Sequence, residues 1–243
     1  MSTLAHATRW RIVLGCLIVF QVVLLAVALV VVRRDASGER SPLVRLETGV
    51  PPGDPLTIES ALPAALARAR SWAADAELFS AGMQVDWPSD AATAGSSEIP
   101  ESGWLLYTFA SPSRAVGPAG KAATLSMIVD RTSGVVIDEQ EMGWMWAPGR
   151  APAVATYPIS SVVALFAADT TAGNAYRIAC PEFRHLSRLT IEPAVDGADP
   201  YWLVTYEDER SAGQAAVSVR VDAVSGQVER EQNTTDQIPC GGK

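Results

Sequence analysis

Histidine occurs twice in the 243 residues, at His6 and His185, and cysteine three times, at Cys16, Cys180 and Cys240. Two histidines so far apart exclude a multi-histidine metal centre, and three cysteines exclude a disulfide-dense scaffold. Lysine stands only at Lys121 and Lys243. All 27 acidic residues but only 15 of the 19 basic ones lie after residue 34, so that region carries a net charge of -12. Such a domain repels nucleic acid. Glycine-rich phosphate loops are missing, as is the D-x-[DN]-x-[DN]-G spacing of a calcium loop. The carboxylate groups at Asp138, Glu139 and Glu141, at Asp196 and Asp199, and at Glu207, Asp208 and Glu209 therefore read as solvated strand edges and hairpin tips. No metal or cofactor is expected. With 48% apolar and 19% charged residues, the chain is also no disordered tail.

What is present begins with a run of 21 residues, Ile12 to Val32, free of charge. As a helix rising about 1.5 Å per residue it would match the hydrocarbon thickness of a bilayer, which predicts a transmembrane anchor over 12–32 within an N-terminal region of 1–34. Arg9, Arg11, Arg33 and Arg34 flank it and Trp10 suits the headgroup level. A signal peptide cleaved after Ala28 is the rival reading. The expected placement is single-pass, with the C-terminal domain extracytoplasmic and the bilayer as one partner. Residues 35–56, rich in proline and glycine, read as a tether.

Beyond the tether the chain repeats itself. GWLLYTF at Gly103 to Phe109 matches YWLVTYE at Tyr201 to Glu207, and MIVDRTSGVV at Met127 to Val136 matches VRVDAVSGQV at Val219 to Val228. In this alignment Trp104 pairs with Trp202, Asp130 with Asp222 and Gly134 with Gly226. Each copy reads as a helix followed by four strands. Ser60 opens the first helical pattern and Ser160 or Ser161 the second. The strands are expected over 83–87, 104–110, 123–129 and 135–139, then 189–192, 202–207, 215–221 and 227–231. In both D-x-x-x-G turns the aspartate caps backbone N–H groups and the glycine takes the left-handed position. The expected fold is α+β: an N-terminal transmembrane helix, then two repeated modules, each a helix packed on an antiparallel sheet of about four strands. They span 57–141 and 157–232, with a linker at 142–156 and a tail at 233–243.

A helix followed by strands ending in V-x-V-D-A-x-[ST]-G-x-V resembles the PepSY-like modules of bacterial extracytoplasmic proteins, of the cystatin-like group. The match is best over Tyr201 to Glu231 and weaker over Trp104 to Glu139. The resemblance implies a binding, inhibitory or chaperone-like role without catalytic residues.

The remaining chemistry is sparse. Cys180 and His185 lie close enough in sequence for a thiol hydrolase, but no strand-turn-helix elbow or glycine-rich helix start accompanies them. A disulfide between Cys180 and Cys240 is the structural reading; closing a loop of that length is worth about 4 kcal/mol in the chain-entropy model. Met142, Trp144, Met145 and Trp146 are adaptable apolar anchors that either seal the junction between the modules or contact a partner. The function expected from these residues is a non-enzymatic, membrane-tethered binding or regulatory protein whose partner is another extracytoplasmic or membrane protein. A structural accessory subunit or assembly factor of a membrane complex is the alternative.

Overall fold

Strands form where apolar and polar residues alternate, and all of them hydrogen-bond into one sheet. The computed structural model describes residues 44–88, 98–114, 121–146, 152–181, 183–191, 199–208 and 216–230, leaving aside the side chains of 121, 122 and 143–146. The strands are β1 (Val44–Arg45), β2 (Glu77–Trp87), β3 (Gly103–Ser111), β4 (Lys121–Asp130), β5 (Val135–Trp146), β6 (His185–Ile191), β7 (Tyr201–Asp208), β8 (Val217–Asp222) and β9 (Val228–Arg230). They pair antiparallel in the order β1-β5-β4-β3-β2-β6-β7-β8-β9. Helix α1 (Ile58–Trp72) precedes β2, and a second rod precedes β6; it consists of α2 (Ser161–Ala168), a π turn (Asp169–Gly173) and α3 (Asn174–Ala179).

The core is a layer between these helices and one sheet face. Because side chains alternate with period two, the row Val129, Leu105, Met83, Leu189, Val204, Val219 crosses six neighbouring strands on the helix side, and every member is buried. Alanines let each helix lie close over that row: Ala61, Ala65 and Ala69 in α1, and Ala164, Ala168 and Ala172 in the second rod, are buried. Thr57 caps α1 by accepting from the Ser60 N–H at 3.1 Å, and Ser160 caps α2 through the Val163 N–H at 3.4 Å. Tyr107 donates its hydroxyl to the Ile58 carbonyl at 2.8 Å, and Trp202 its indole N–H to the Ile159 carbonyl at 2.9 Å. Each helix start is thereby tied to the sheet beneath it.

The turns repeat as their residues dictate. The Asp130 carboxylate accepts from the backbone N–H groups of Thr132 and Ser133, and the Asp222 carboxylate from those of Val224 and Ser225. Gly134 at φ 69° and Gly226 at φ 74° occupy the left-handed region.

Three expectations are corrected. First, there are not two helix-on-sheet modules. β2 and β6 pair along seven residues, from Ala81 opposite Ile191 to Trp87 opposite His185, so both halves share one nine-stranded sheet and one core. A strand buried on one face and free at its edge is completed by another strand rather than by water. Second, no described helix supplies the expected anchor or the single-pass placement built on it. Residues 12–32 lie outside the described residues, and among those no helix is long and apolar enough to cross a membrane; α1 has 15 residues and carries Glu59, Arg68 and Arg70. Third, Trp104 and Trp202 are not equivalent. Trp104 lies opposite Asp130 in the β3–β4 pair, whereas Tyr201, not Trp202, lies opposite Asp222 in the β7–β8 pair. A slip of one residue exchanges the sheet faces: Trp202 is core and Trp104 is exposed. Part of the expected tether is also built in, since β1 pairs with Val135 and Val136, and Leu46 and Leu56 are buried.

With the register set by the turn aspartates, Leu106 corresponds to Leu203. Leu106 lies opposite Gly82 and Leu203 opposite Thr190, so Gly82 and Thr190 correspond, and they pair with each other. A local two-fold therefore passes through that pair, as in an isologous dimer interface. A Cβ on Gly82 would come within 3.2 Å of the Leu189 carbonyl oxygen and 3.4 Å of the Thr190 methyl, which explains the glycine there.

Candidate functional site

The sheet face turned away from the helices is the candidate site. Residues that alternate with the core row stand on it, and around the two-fold they form a second row: Ile128, Leu106, Gly82, Thr190, Leu203, Arg220. Beside it runs Asp130, Trp104, Gln84, Arg188, Thr205, Ser218. Trp104, Leu106 and Tyr201 are exposed to 39%, 39% and 40%, high values for large apolar side chains in mid-sheet. The cations are positioned rather than loose. The Arg188 Nε donates to Gln84 Oε1 at 3.1 Å and its Nη1 lies 3.4 Å from Glu207 Oε1, while the Arg220 guanidinium stacks 4.8 Å above the Tyr201 ring. Asp86 accepts from Gln84 at 3.1 Å and from Arg184 at 2.8 Å, closing the polar margin. The turn carboxylates at the ends stay ionised. Burial opposes this at Asp130, but hydrogen bonds from Ser133 and Thr132 hold it below the usual carboxylate range. Asp222 is lowered chiefly by the Ser225 N–H.

Of the residues singled out in the sequence, Met142, Trp144, Met145 and Trp146 belong to strand β5, where Met142 lies opposite Thr124, Met145 opposite Ala122 and Trp146 opposite Lys121. Met142 is exposed; the side chains of Trp144, Met145 and Trp146 lie outside the described residues. Cys180 is buried and disulfide-bonded. Cys16 and Cys240 both lie outside the described residues, so the pairing of Cys180 with Cys240 does too.

A buried polar cluster lies under the π turn; it takes in His185 and also Asp208, which was expected at a solvated edge and is buried, while no sequence signal marked Asp169 and Arg177. Arg177 pairs with Asp169 (Nη2 to Oδ2 at 3.1 Å) while its guanidinium stacks 3.6 Å above the Trp87 ring. Tyr176 donates to Asp208 at 2.6 Å and meets the His185 ring edge-on. His185 Nε2 donates to the Cys180 carbonyl oxygen at 2.8 Å, and the Trp87 indole to Ser187. Burial pushes the Tyr206 phenol well above its ordinary range. With Cys180 in a disulfide there is no thiol for His185 to activate, and the cluster acts as a sealed structural joint. Among the described residues no three His, Cys, Asp or Glu side chains are grouped so as to hold a metal ion.

The chain matches no protein-family model, no curated protein and no solved structure. The PepSY-like resemblance rests on its turn and strand residues alone.

Aligning the two tryptophans with each other conceals the open face. Sliding the second copy by one residue, as the pairings opposite Asp130 and Asp222 require, matches Leu106 with Leu203, Thr108 with Thr205 and Phe109 with Tyr206. That alignment places Trp104 and Tyr201 on the outer face.

Proposed function

We propose that this chain is a non-enzymatic binding or regulatory protein that docks another protein on its open sheet face. The observation that carries the reading is the patch in which the exposed Trp104, Leu106 and Tyr201 stand with the half-buried Ile128 and Leu203, bordered by Arg188 and Arg220. Tryptophan, tyrosine and arginine are the residues that most often dominate interface energies, and here they stand on a rigid sheet, so little ordering is needed on binding. In a chain of net charge -8, the exposed guanidinium groups of Arg188 and Arg220 on this face favour a partner that rims an apolar patch with carboxylates. The Cys180 disulfide and the buried, hydrogen-bonded His185 support the non-enzymatic part.

The test is a photo-crosslinking amino acid at position 106. A protein captured there, purified and titrated, is expected to bind Leu106→Asp combined with Leu203→Asp at least about tenfold more weakly. Val163→Asp, at an exposed position on α2, should leave binding unchanged. Equal affinity for all three forms defeats the reading.

A further inference from the structure

We propose that the outer edge of β5 between Ile137 and Met142 accepts an extended, basic segment of a partner protein as an additional strand. This site is separate from the open face and does not depend on it.

The backbone carries the argument. β1 covers β5 only at Val135 and Val136; among the described residues nothing pairs with β5 on that side beyond them. Ile137 to Met142 are exposed without a break, Ile137 to 53%. In a strand with one face on the core, exposure would alternate. Six exposed residues in succession mean that both faces and the free edge meet solvent, so N–H and C=O groups await a ladder. The opposite edge of the sheet, β9, is only three residues long and offers no comparable template.

Charge decides the occupant. Asp138, Glu139 and Glu141 place three carboxylates in four residues. Glu139 pairs with Arg68, and Glu141 lies 3.3 Å from Arg114, but these pairs are exposed and readily exchanged. Among the described residues, Asp138 meets the neutral Gln140 amide at 3.0 Å and no cation. A second copy fits poorly, because antiparallel self-pairing about Gln140 sets Glu139 of each chain opposite Glu141 of the other, and like charges directly opposed are destabilising. A segment with lysine or arginine at alternate positions meets carboxylates instead. Register gives the alternation. Glu139 and Glu141 lie opposite Met127 and Leu125 on the helix side, whereas Asp138, Gln140 and Met142 lie opposite Ile128, Ser126 and Thr124. The partner's basic side chains belong on the helix side, and an apolar one belongs against the adaptable Met142 thioether.

The probe is a synthetic peptide alternating lysine with valine, added to the isotope-labelled full chain, with the glutamate-for-lysine peptide as control. Amides of residues 137–142 should gain hydrogen-exchange protection with the lysine peptide and none with the control. Combined Glu139→Gln and Glu141→Gln, which keeps the strand, should weaken binding about tenfold. Glu141→Pro, which removes an edge N–H as well as the charge that Glu141→Gln removes, should abolish the protection, with the thermal transition confirming that it folds. Leu106→Asp with Leu203→Asp should bind the peptide as the parent does, so a failed open face and a failed edge are told apart. Protection elsewhere, equal binding of the glutamate peptide, or a concentration-dependent dimer through residues 137–142 without peptide would overturn the proposal.

Discussion

The two halves of the sheet are covered by different solutions to the same packing problem. Over the first half, α1 is uninterrupted and its face toward the sheet is alanine and leucine; over the second, the rod is interrupted by a π turn that directs a charge inward. Leu66 follows Ala65 in α1, and Asp169 follows Ala168 in the second rod. Below them Phe109 in β3 corresponds to Tyr206 in β7. The comparison teaches that the alanine ladder, not the polarity of the layer beneath it, is what the fold requires. A buried charge can replace an apolar side chain once an ion pair, an aromatic ring and an extra helical residue accompany it.

The comparison breaks most visibly at the ion pair. Arg177→Met leaves Asp169 buried and uncompensated and is expected to cost about 3–5 kcal/mol by urea unfolding. Adding Asp169→Leu, which makes the second half like the first, should recover most of that loss, or exceed it by about 1–4 kcal/mol. A double variant as unstable as the single one would show that the pair does more than balance its own charges.

Gly173 sharpens the contrast. A Cβ there would collide with the Tyr206 ring and come within 2.6 Å of Asp169 Oδ1, so Gly173→Ala should cost about 1–3 kcal/mol despite its helical preference. Arg70→Ala, at the exposed residue that follows Ala69 in α1, should stay within about 0.5 kcal/mol in the same urea assay.

Glu59 joins the halves. From the first turn of α1 its carboxylate accepts from both the N–H and the hydroxyl of Ser161, each at 2.6 Å, capping α2 from outside. Glu59→Ala should cost about 1 kcal/mol, and hydrogen exchange should place the loosening in the first turn of α2 rather than in α1.

The smallest effect belongs to the first half alone. Asp75 is lowered to about 2, first by the Ser111 hydroxyl and then by Ser113. Its folded value lies below its unfolded one, so its contribution is present above the ordinary carboxylate range near 3.8 and is lost as pH falls toward 2. Asp75→Asn should therefore lower the melting temperature slightly at neutral pH and converge with the parent in acid.

Local signals were readable and long-range ones were not. The Ser160 cap, the D-x-x-x-G turns and the alternation of β3, β4, β7 and β8 each reside in a few neighbouring residues, whereas α1 is capped by Thr57 and not by the expected Ser60. Pairing of β2 with β6 leaves no such mark, because a strand completed by its neighbour alternates no differently from one left at an edge. Trp104 shows the same limit: its type favours the core, and only the register opposite Asp130 places it outside. The π turn has no pattern of its own, so Asp169 and Arg177 read as ordinary surface charges of a helix. For the open face, the Leu106 and Leu203 match follows only from the strand pairings opposite Asp130 and Asp222, because the aspartates are 92 residues apart and the leucines 97.

The seam at Gly82 and Thr190 also bears on how the molecule assembles. Hairpins β2–β3, β3–β4 and β4–β5 join neighbours in sequence, whereas β2 must wait for a strand about a hundred residues later in the chain. Until β6 is synthesised and docked, the apolar residues Met83 and Val85 and an unpaired backbone edge stand open, at the stage when chains are most prone to associate. In pulse-labelled refolding the amides of β3 and β4 should gain protection before those of β2 that face β6. Crowding should lower the yield of truncated first halves far more than that of the complete chain.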